Sequence, residues 1–346
     1  MTKSSGKSKW IVIGGAGFIG SNLCRALMDR GDRVVCIDNL HTGSWDNVTD
    51  LIDKGMVCFK YDITKKFSES TDWAILDSFH GATGIFYLAS LASPKFYLAD
   101  PLGTIDANVE GLRHVLEIAK MHCGPEVIYT STSEVYGDPD CNVQGEYYNG
   151  NVDPVGDRSC YDESKRLGET LCSIFNRNEW VRTKVVRIFN TYGPGMHPDD
   201  GRVLPNFINQ ALDGRQITLY GDGSQTRSFC YVDDMVEALL RVADKDCGQR
   251  WDAQRKCYEL LPINLGNAHD HLSIKQVAEM VRDTIDDTVG IVERPFTSQN
   301  DPMKRRPDTT RAQRELGWMA TTSFSKGLGK TIEYFRGLRN VESDSE

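Results

Sequence analysis

The stretch Trp10-Ile11-Val12-Ile13-Gly14-Gly15-Ala16-Gly17-Phe18-Ile19-Gly20-Ser21-Asn22-Leu23-Cys24-Arg25-Ala26-Leu27-Met28 decides how the rest of the chain is read. An apolar run suited to a buried strand leads into glycines spaced G-x-x-G-x-x-G, after which apolar residues recur at helical spacing. Strand, glycine turn and helix in that order bring backbone N–H groups and a positive helix end against a pyrophosphate. Gly14, Gly17, Phe18 and Ile19 are the candidate contacts. The spacing is one residue wider than the usual dinucleotide fingerprint. Arg33 to Ile37 then reads as a second strand ending at Asp38, about twenty residues past the glycines, where a ribose-binding carboxylate belongs. An aspartate there accepts from both ribose hydroxyls and repels a 2′-phosphate, which favours NAD over NADP. A solvated loop aspartate is the plainer alternative, and the glycine context weighs against it.

Further apolar runs repeat the pattern. Residues 57–61, 85–88, 127–129 and 184–189 read as strands three to six, with helical spacing between them and again over 104–120, through Ile105, Val109, Leu112, Val115, Leu116 and Ala119. Such alternation predicts an α/β fold, a Rossmann-type doubly wound parallel sheet that places ligands at the carboxyl ends of its strands. Asn39, Thr42 and Gly43 after the second strand, and Leu88, Ala89 and Ser90 after the fourth, fall at that edge. From Met196 the character changes: a helix over 203–212, a strand over 217–220 and a helix over 273–285 predict a smaller C-terminal α/β substrate lobe. Residues 263–267 read as a late strand returning to the main sheet. The expected division is therefore 1–195 for the dinucleotide, 196–336 for the substrate, interleaved, and 337–346 as an acidic flexible tail.

Two segments carry the chemistry. Tyr161 and Lys165 in Ser159-Cys160-Tyr161-Asp162-Glu163-Ser164-Lys165 lie four residues apart, one turn of a helix. An ammonium beside a phenol favours the phenolate, so Lys165 is expected to lower the Tyr161 pKa and make it a base. The spacing alone is common on amphipathic helices; the glycine turn gives it meaning. Thr132, Ser133 and Glu134 follow the fifth strand at the same edge, and the excursion from Ser133 to Tyr161 is long enough to be functional. In the second lobe Arg202 and Arg227 suit a diphosphate, and Phe207 and Tyr220 a stacked base. Surface charge and core packing are the alternatives for these four.

Composition narrows the classes. A chain of 346 residues with 40% hydrophobic content can bury a full core, and its net charge of -9 argues against a nucleic-acid surface. Ten cysteines without a C-x-x-C pair predict no zinc knuckle and no redox dithiol, and no metal is expected. No run approaches a membrane span, and Met1 to Ser8 is polar, so no membrane partner and a cytoplasmic location are expected.

From about Lys9 to Arg336 the chain resembles the extended short-chain dehydrogenase/reductases acting on nucleotide sugars, and within them the UDP-glucuronate decarboxylase (UDP-xylose synthase) family. The carriers are Gly14 to Gly20, Thr132-Ser133-Glu134-Val135-Tyr136-Gly137, Arg158-Ser159-Cys160-Tyr161 with Lys165, Asn190-Thr191-Tyr192-Gly193-Pro194, Asp200-Gly201-Arg202-Val203, Gln225-Thr226-Arg227-Ser228-Phe229 and Arg305-Arg306-Pro307-Asp308. The resemblance implies bound NAD, with Asp62 and Ile63 at the adenine and a UDP-sugar against Ser93, Asn190, Val203 and the lobe residues. It implies that Tyr161 takes the proton of the sugar 4-hydroxyl while C4 is oxidised. The 4-ketone stands β to the C5 carboxylate and lets it leave as carbon dioxide, with Thr132 and Tyr161 donating to the ketone oxygen. Reduction of the ketone then regenerates the cofactor and gives UDP-xylose.

Ser133 replaces the aspartate with which related 4,6-dehydratases protonate a leaving hydroxyl, and a serine hydroxyl is too weak an acid for that task. Glu134 is implied as an acid/base or substrate-ordering group. Arg305 is implied to orient the carboxylate or to supply the C5 proton through a water, with a solvated basic loop as its alternative. Helix 104–120 is implied to join a homodimer bundle. Asp106 and Gly195 depart from the decarboxylase pattern, where lysine and arginine are usual, so a 4-epimerase or 4,6-dehydratase remains an alternative. A non-catalytic NAD-binding scaffold is another.

Overall fold

A computed structural model describes residues 7–68, 70–122, 124–295 and 303–343. Seven strands form one parallel sheet in the spatial order Ile263–Leu265, Thr183–Ile188, Glu126–Thr132, Gly84–Tyr87, Lys9–Ile13, Arg33–Asp38, Val57–Lys60. Its centre shows why the strands pair as they do: Val12 is flanked by Cys36 and Phe86, and Ile11 by Val35 and Ile85. Alternate side chains of a strand face opposite sides. Trp10, Val12, Val34 and Cys36 thus enter one core, and Ile11, Ile13, Val35 and Ile37 another. With helices over both cores the sheet is doubly wound, as expected.

The first core runs without a break into the second lobe, where it takes in Phe207, Ile208, Ile217, Val277 and Trp318. The lobe contains helix Val203–Leu212, strand Ile217–Tyr220 paired in parallel with Ile291–Arg294, and helix Ile274–Ile285. Ser273 and Gln276 close a capping box at the start of that last helix, which satisfies backbone donors otherwise left open. The expected late strand is present, pairing Ile263 to Leu265 with Val186 to Ile188.

Two expectations need correction. The helix read over 104–120 begins at Pro101 and opens into a π-turn over Ala107–Gly111 before continuing as Leu112–Met121. Gly111 lets this turn pack against the sheet, because a Cβ there would come 2.5 Å from the Tyr87 hydroxyl oxygen. The expected flexible tail over 337–346 is instead helical as far as Ser343, within helix Phe324–Ser343; the last three residues lie outside the described ones. Burial of Ile332 and Phe335 anchors that helix, and so do the contacts of Arg339 with the Asn209 carbonyl and Asp213. Among the described residues no helix is long and apolar enough to cross a membrane.

Helix Ser159–Arg177 lies against the second core, and Gly168 sets how closely. A Cβ at Gly168 would stand 2.3 Å from the Tyr129 hydroxyl oxygen and 2.5 Å from its Cζ. Gly168→Ala is therefore expected to lower stability by about 1–3 kcal/mol, since a packed interior yields to an added methyl only by shifting. Urea unfolding measures it, and an unchanged midpoint would contradict the close approach.

Candidate active site

The carboxyl ends of the parallel strands open into one cavity of about 1590 Å³ that continues under the second lobe. It exceeds the few hundred to about 1,000 Å³ of a single small-ligand site. Two ligands fit.

At one end the glycine turn makes a cradle. Gly14 has φ 82°, and Gly17 stands at the N-terminus of helix Phe18–Asp29. A Cβ on Gly20 would lie 2.1 Å from the Gly14 carbonyl oxygen and one on Gly14 2.7 Å from the Ala89 nitrogen, so side chains are excluded where a pyrophosphate must approach. Asp38 accepts from the backbone N–H of Ala16 at 3.0 Å and of Leu40 at 2.8 Å, which fixes its carboxylate at the strand end. Burial pushes its pKa up, against the pull of those two N–H groups. Phe18, Ile19, Asn39, Thr42, Asp62, Ile63, Leu88, Ala89 and Ser90 line the same end. Gly43 does not line it; it packs on the turn, where a Cβ would come 3.0 Å from the Ala16 backbone. These residues fit a dinucleotide.

At the other end Thr132, Ser133, Glu134, Tyr161 and Lys165 meet. Lys165 is buried; its Nζ donates to the Thr130 carbonyl at 2.9 Å and lies 5.8 Å from the centre of the Tyr161 ring. Burial pulls its ammonium down to about 7. The expected lowering of the Tyr161 phenol does not appear: burial pushes it above its ordinary value, the Thr132 hydrogen bond opposes this, and the Glu134 charge adds to it. Spacing brought the pair together. Desolvation, which spacing does not reveal, decides the protonation.

Glu134 sits between two guanidiniums, with Arg158 Nη2 2.5 Å and Arg305 Nη2 2.9 Å from its Oε2. Burial alone would push its carboxyl up, but Arg305 and Arg158 outweigh it and hold it at about 2. Arg305 is only 1% exposed, donates also to the Gly137 carbonyl, and is not among the cavity-lining residues. A solvated basic loop does not fit that position, and a guanidinium outside the cavity lining is not placed to orient a substrate carboxylate or to supply a C5 proton through a water, as the resemblance implied. Arg305 positions Glu134 from behind.

Ser93, Asn190, Arg202, Val203, Phe207, Tyr220 and Arg227 all line the cavity. Arg202 is paired with Asp200, while Phe207 is buried and Tyr220 is half exposed. Asp106 and Gly195 line it too; Gly195 has φ 91°, which a side chain there would strain. Sequence reading did not single out Tyr97, whose ring stacks on Tyr161 at 5.2 Å and 10°. Nor did it assign a role to Arg158, although a cation three residues before Tyr161 is a local signal. Tyr97 offers none.

Replacing Arg305 with Met leaves part of the Glu134 charge uncompensated and is expected to cost on the order of 3 kcal/mol at neutral pH. With its pKa lowered from 4.5 to about 2, Glu134 contributes stability that is fully present above about 4.5 and is lost as pH falls through about 2. The gap between wild type and Arg305→Met should therefore narrow as pH is lowered across that window in chemical unfolding, and a constant gap would contradict the pairing.

The family described as NAD dependent epimerase/dehydratase matches residues 10–252. UDP-glucuronic acid decarboxylase 1 of Xenopus tropicalis is 39% identical over 95% of this chain and 72% of its own length. UDP-glucuronic acid decarboxylase 2 of Arabidopsis thaliana is 42% identical over 94% and 68%. Among solved structures, UDP-glucose 4-epimerase from Thermotoga maritima with UDP-glucose superposes with TM-score 0.83 at 26% identity, covering 96% of this chain and 99% of that one. UDP-glucuronic acid 4-epimerase from Bacillus cereus, in complex with UDP-glucuronic acid and NAD, superposes with TM-score 0.81 at 25% identity over 95% and 99%. With the glycine cradle and the Tyr161–Lys165 helix in place, the chain belongs to the NAD-dependent epimerase/dehydratase family.

Proposed function

We propose that this chain is an NAD-dependent UDP-glucuronate decarboxylase that forms UDP-xylose and carbon dioxide. The observation that carries the reading is the triplet at the sugar end, where buried Ser133 stands between Thr132 and an ionised Glu134. No acid strong enough to expel a hydroxyl stands at position 133, so dehydration lacks its donor while loss of a carboxylate needs none. The relatives named decarboxylases, about 40% identical over nearly the whole chain, support the same choice over epimerisation.

Residues 1–195 hold the cofactor and 196–336 the nucleotide of the substrate. Gly14, Gly17 and Asp38 bind NAD, which when bound supplies reversible oxidation at the sugar C4 and a positive ring charge that favours the Tyr161 phenolate. Tyr161 removes the proton of the 4-hydroxyl and returns it at the end. Thr132 donates to the developing C4 oxyanion, the point where charge accumulates as carbon dioxide leaves. Arg202 and Arg227 serve the diphosphate, and Phe207 and Tyr220 flank the base. A tight grip on the carboxylate would oppose its departure, and Arg305, set behind Glu134, exerts none.

A homodimer is the assembly this surface fits. Leu98, Leu102, Ile105 and Leu167 are 50, 72, 37 and 46% exposed on helices Pro94–Ala99, Pro101–Asp106 and Ser159–Arg177, more apolar surface than isolated helices of a monomer usually show. The nine described cysteines are free thiols, which suits the reducing cytoplasm.

Incubation of the NAD-loaded protein with UDP-glucuronate is expected to yield UDP-xylose and carbon dioxide without added reductant, as mass and NMR analysis would read. A 4-epimer that keeps its carboxylate would instead establish epimerisation. Tyr161→Phe should lose about 10²-fold or more in kcat, and unchanged turnover removes Tyr161 from the chemistry. Leu102→Glu should shift the protein from dimer to monomer in light scattering; a dimer of undiminished stability would place the interface elsewhere.

A further inference from the structure

Helix Pro94–Ala99 touches both halves of the site. Its Tyr97 is buried and stacks on Tyr161, at 5.2 Å and 10°. Its Lys95 and Phe96 reach across to the segment 196–202, which carries Arg202 into the cavity. Lys95 Nζ pairs with the Asp199 carboxylate, and the Phe96 ring meets the His197 ring edge-on, at 6.0 Å and 89°. The Lys95 stem lies against the segment itself, since a Cβ at Gly201 would come 3.0 Å from the Lys95 Cβ.

These contacts sit on the cavity rim. Pro94 and Phe96 line the cavity, as do Pro198 and Asp200, whereas Lys95 and Asp199 between them are not among the lining residues and have side chains 44 and 73% exposed. The ion pair therefore crosses the edge on its solvent side. Asp199 N–H donates to His197 Nδ1 at 3.0 Å and Asp200 N–H to the His197 carbonyl at 3.1 Å, so one short turn holds both His197 and Asp199 in place. Asn209 fastens that turn to helix Val203–Leu212 through the Pro198 carbonyl, at 2.8 Å. The bridge thus joins the element behind Tyr161 to the element that carries Arg202, on either side of where the sugar must lie.

The chemistry needs a closed edge there. Once carbon dioxide has left, the sugar is a ketone without the substrate's carboxylate charge, and if it departs before it is reduced the cofactor stays reduced and the cycle stays open. We propose that Lys95 with Asp199 and Phe96 with His197 form a clasp over the sugar that keeps the 4-keto intermediate in place until it is reduced, an inference that rests on the decarboxylase reading. Lys95 and Asp199 touch no reacting atom; they are positioning residues. An exposed ion pair and one ring contact are each weak, which lets the same edge open for substrate and product.

NAD-loaded enzyme in excess over UDP-glucuronate, with hydroxylamine present to capture free 4-ketone as its oxime, reads retention directly. Wild type is expected to give UDP-xylose with little oxime. Lys95→Met combined with His197→Ala should release carbon dioxide at the wild-type rate yet give about tenfold more oxime, with a matching amount of cofactor left reduced. A purely structural role would move the melting temperature and leave the ratio of oxime to UDP-xylose unchanged. Lys95→Glu should leak in the same way, and adding Asp199→Lys should restore retention. High salt, which screens an exposed pair, should make wild type leak as well. Equal oxime from wild type and the double variant would overturn the proposal, and so would a wild type that frees most of its ketone. If the double variant folds poorly, salt and the charge exchange decide, and oxime unmoved by both also overturns it. Wild-type enzyme that releases no carbon dioxide would instead defeat the decarboxylase reading itself.

Discussion

The pairing of Arg305 with Glu134, 171 residues apart in sequence, holds the sugar end of the site together. Two guanidiniums and a carboxylate are expensive to bury, and their mutual attraction offsets that cost only when every partner is in place. Arg305 from strand Lys304–Arg305, Arg158 from the start of helix Ser159–Arg177 and Glu134 from the turn after strand Glu126–Thr132 must therefore arrive in one arrangement. Gln144 secures it from the outer side. Its side-chain oxygen accepts from Arg306 N at 2.7 Å, and its backbone binds Arg306 and Asp308. The long excursion after Ser133 is thereby stitched to the segment that carries Arg305.

The same cluster separates the protonation states of neighbouring groups. Glu134 is driven to the ionised form by two cations, while Asp162, one helical turn from Arg158, is driven toward the neutral form by burial and by the Glu134 charge. Two buried carboxyl groups thus differ in protonation because their surroundings differ. Lys165 and Tyr161 show the reverse problem. Each is buried with too little compensating charge, so the lysine tends to lose its proton and the tyrosine to keep it. A cationic ring of bound NAD would supply the missing charge and so would tie the readiness of the base to the presence of the cofactor.

Much of the fold was legible because it is written in short-range periodicity. The run from Trp10 to Met28 names its own strand, turn and helix, and helix Val203–Leu212 and strand Ile217–Tyr220 appear with the expected limits. Even the late strand at Ile263 could be read from its apolar run. The helix beyond Arg336 could not, since Arg339 finds its partners at Asn209 and Asp213, far off in sequence. In the site, most of the expected residues line a single cavity. What spacing could not supply was depth: that Arg305 stands behind Glu134 instead of facing the cavity, that Tyr97 stacks on Tyr161, and that burial reverses the expected shift of the phenol.

Oxidation and re-reduction of one sugar carbon by a cofactor that never leaves is the centre of this picture, and an isotope reads it directly. UDP-glucuronate carrying deuterium at C4 would be turned over in the presence of excess unlabelled NADH, and the UDP-xylose examined by NMR. Full retention of deuterium at C4 is the expected result. Washout of the label, or its appearance in free cofactor, would contradict a closed cycle at the Tyr161 end of the cavity.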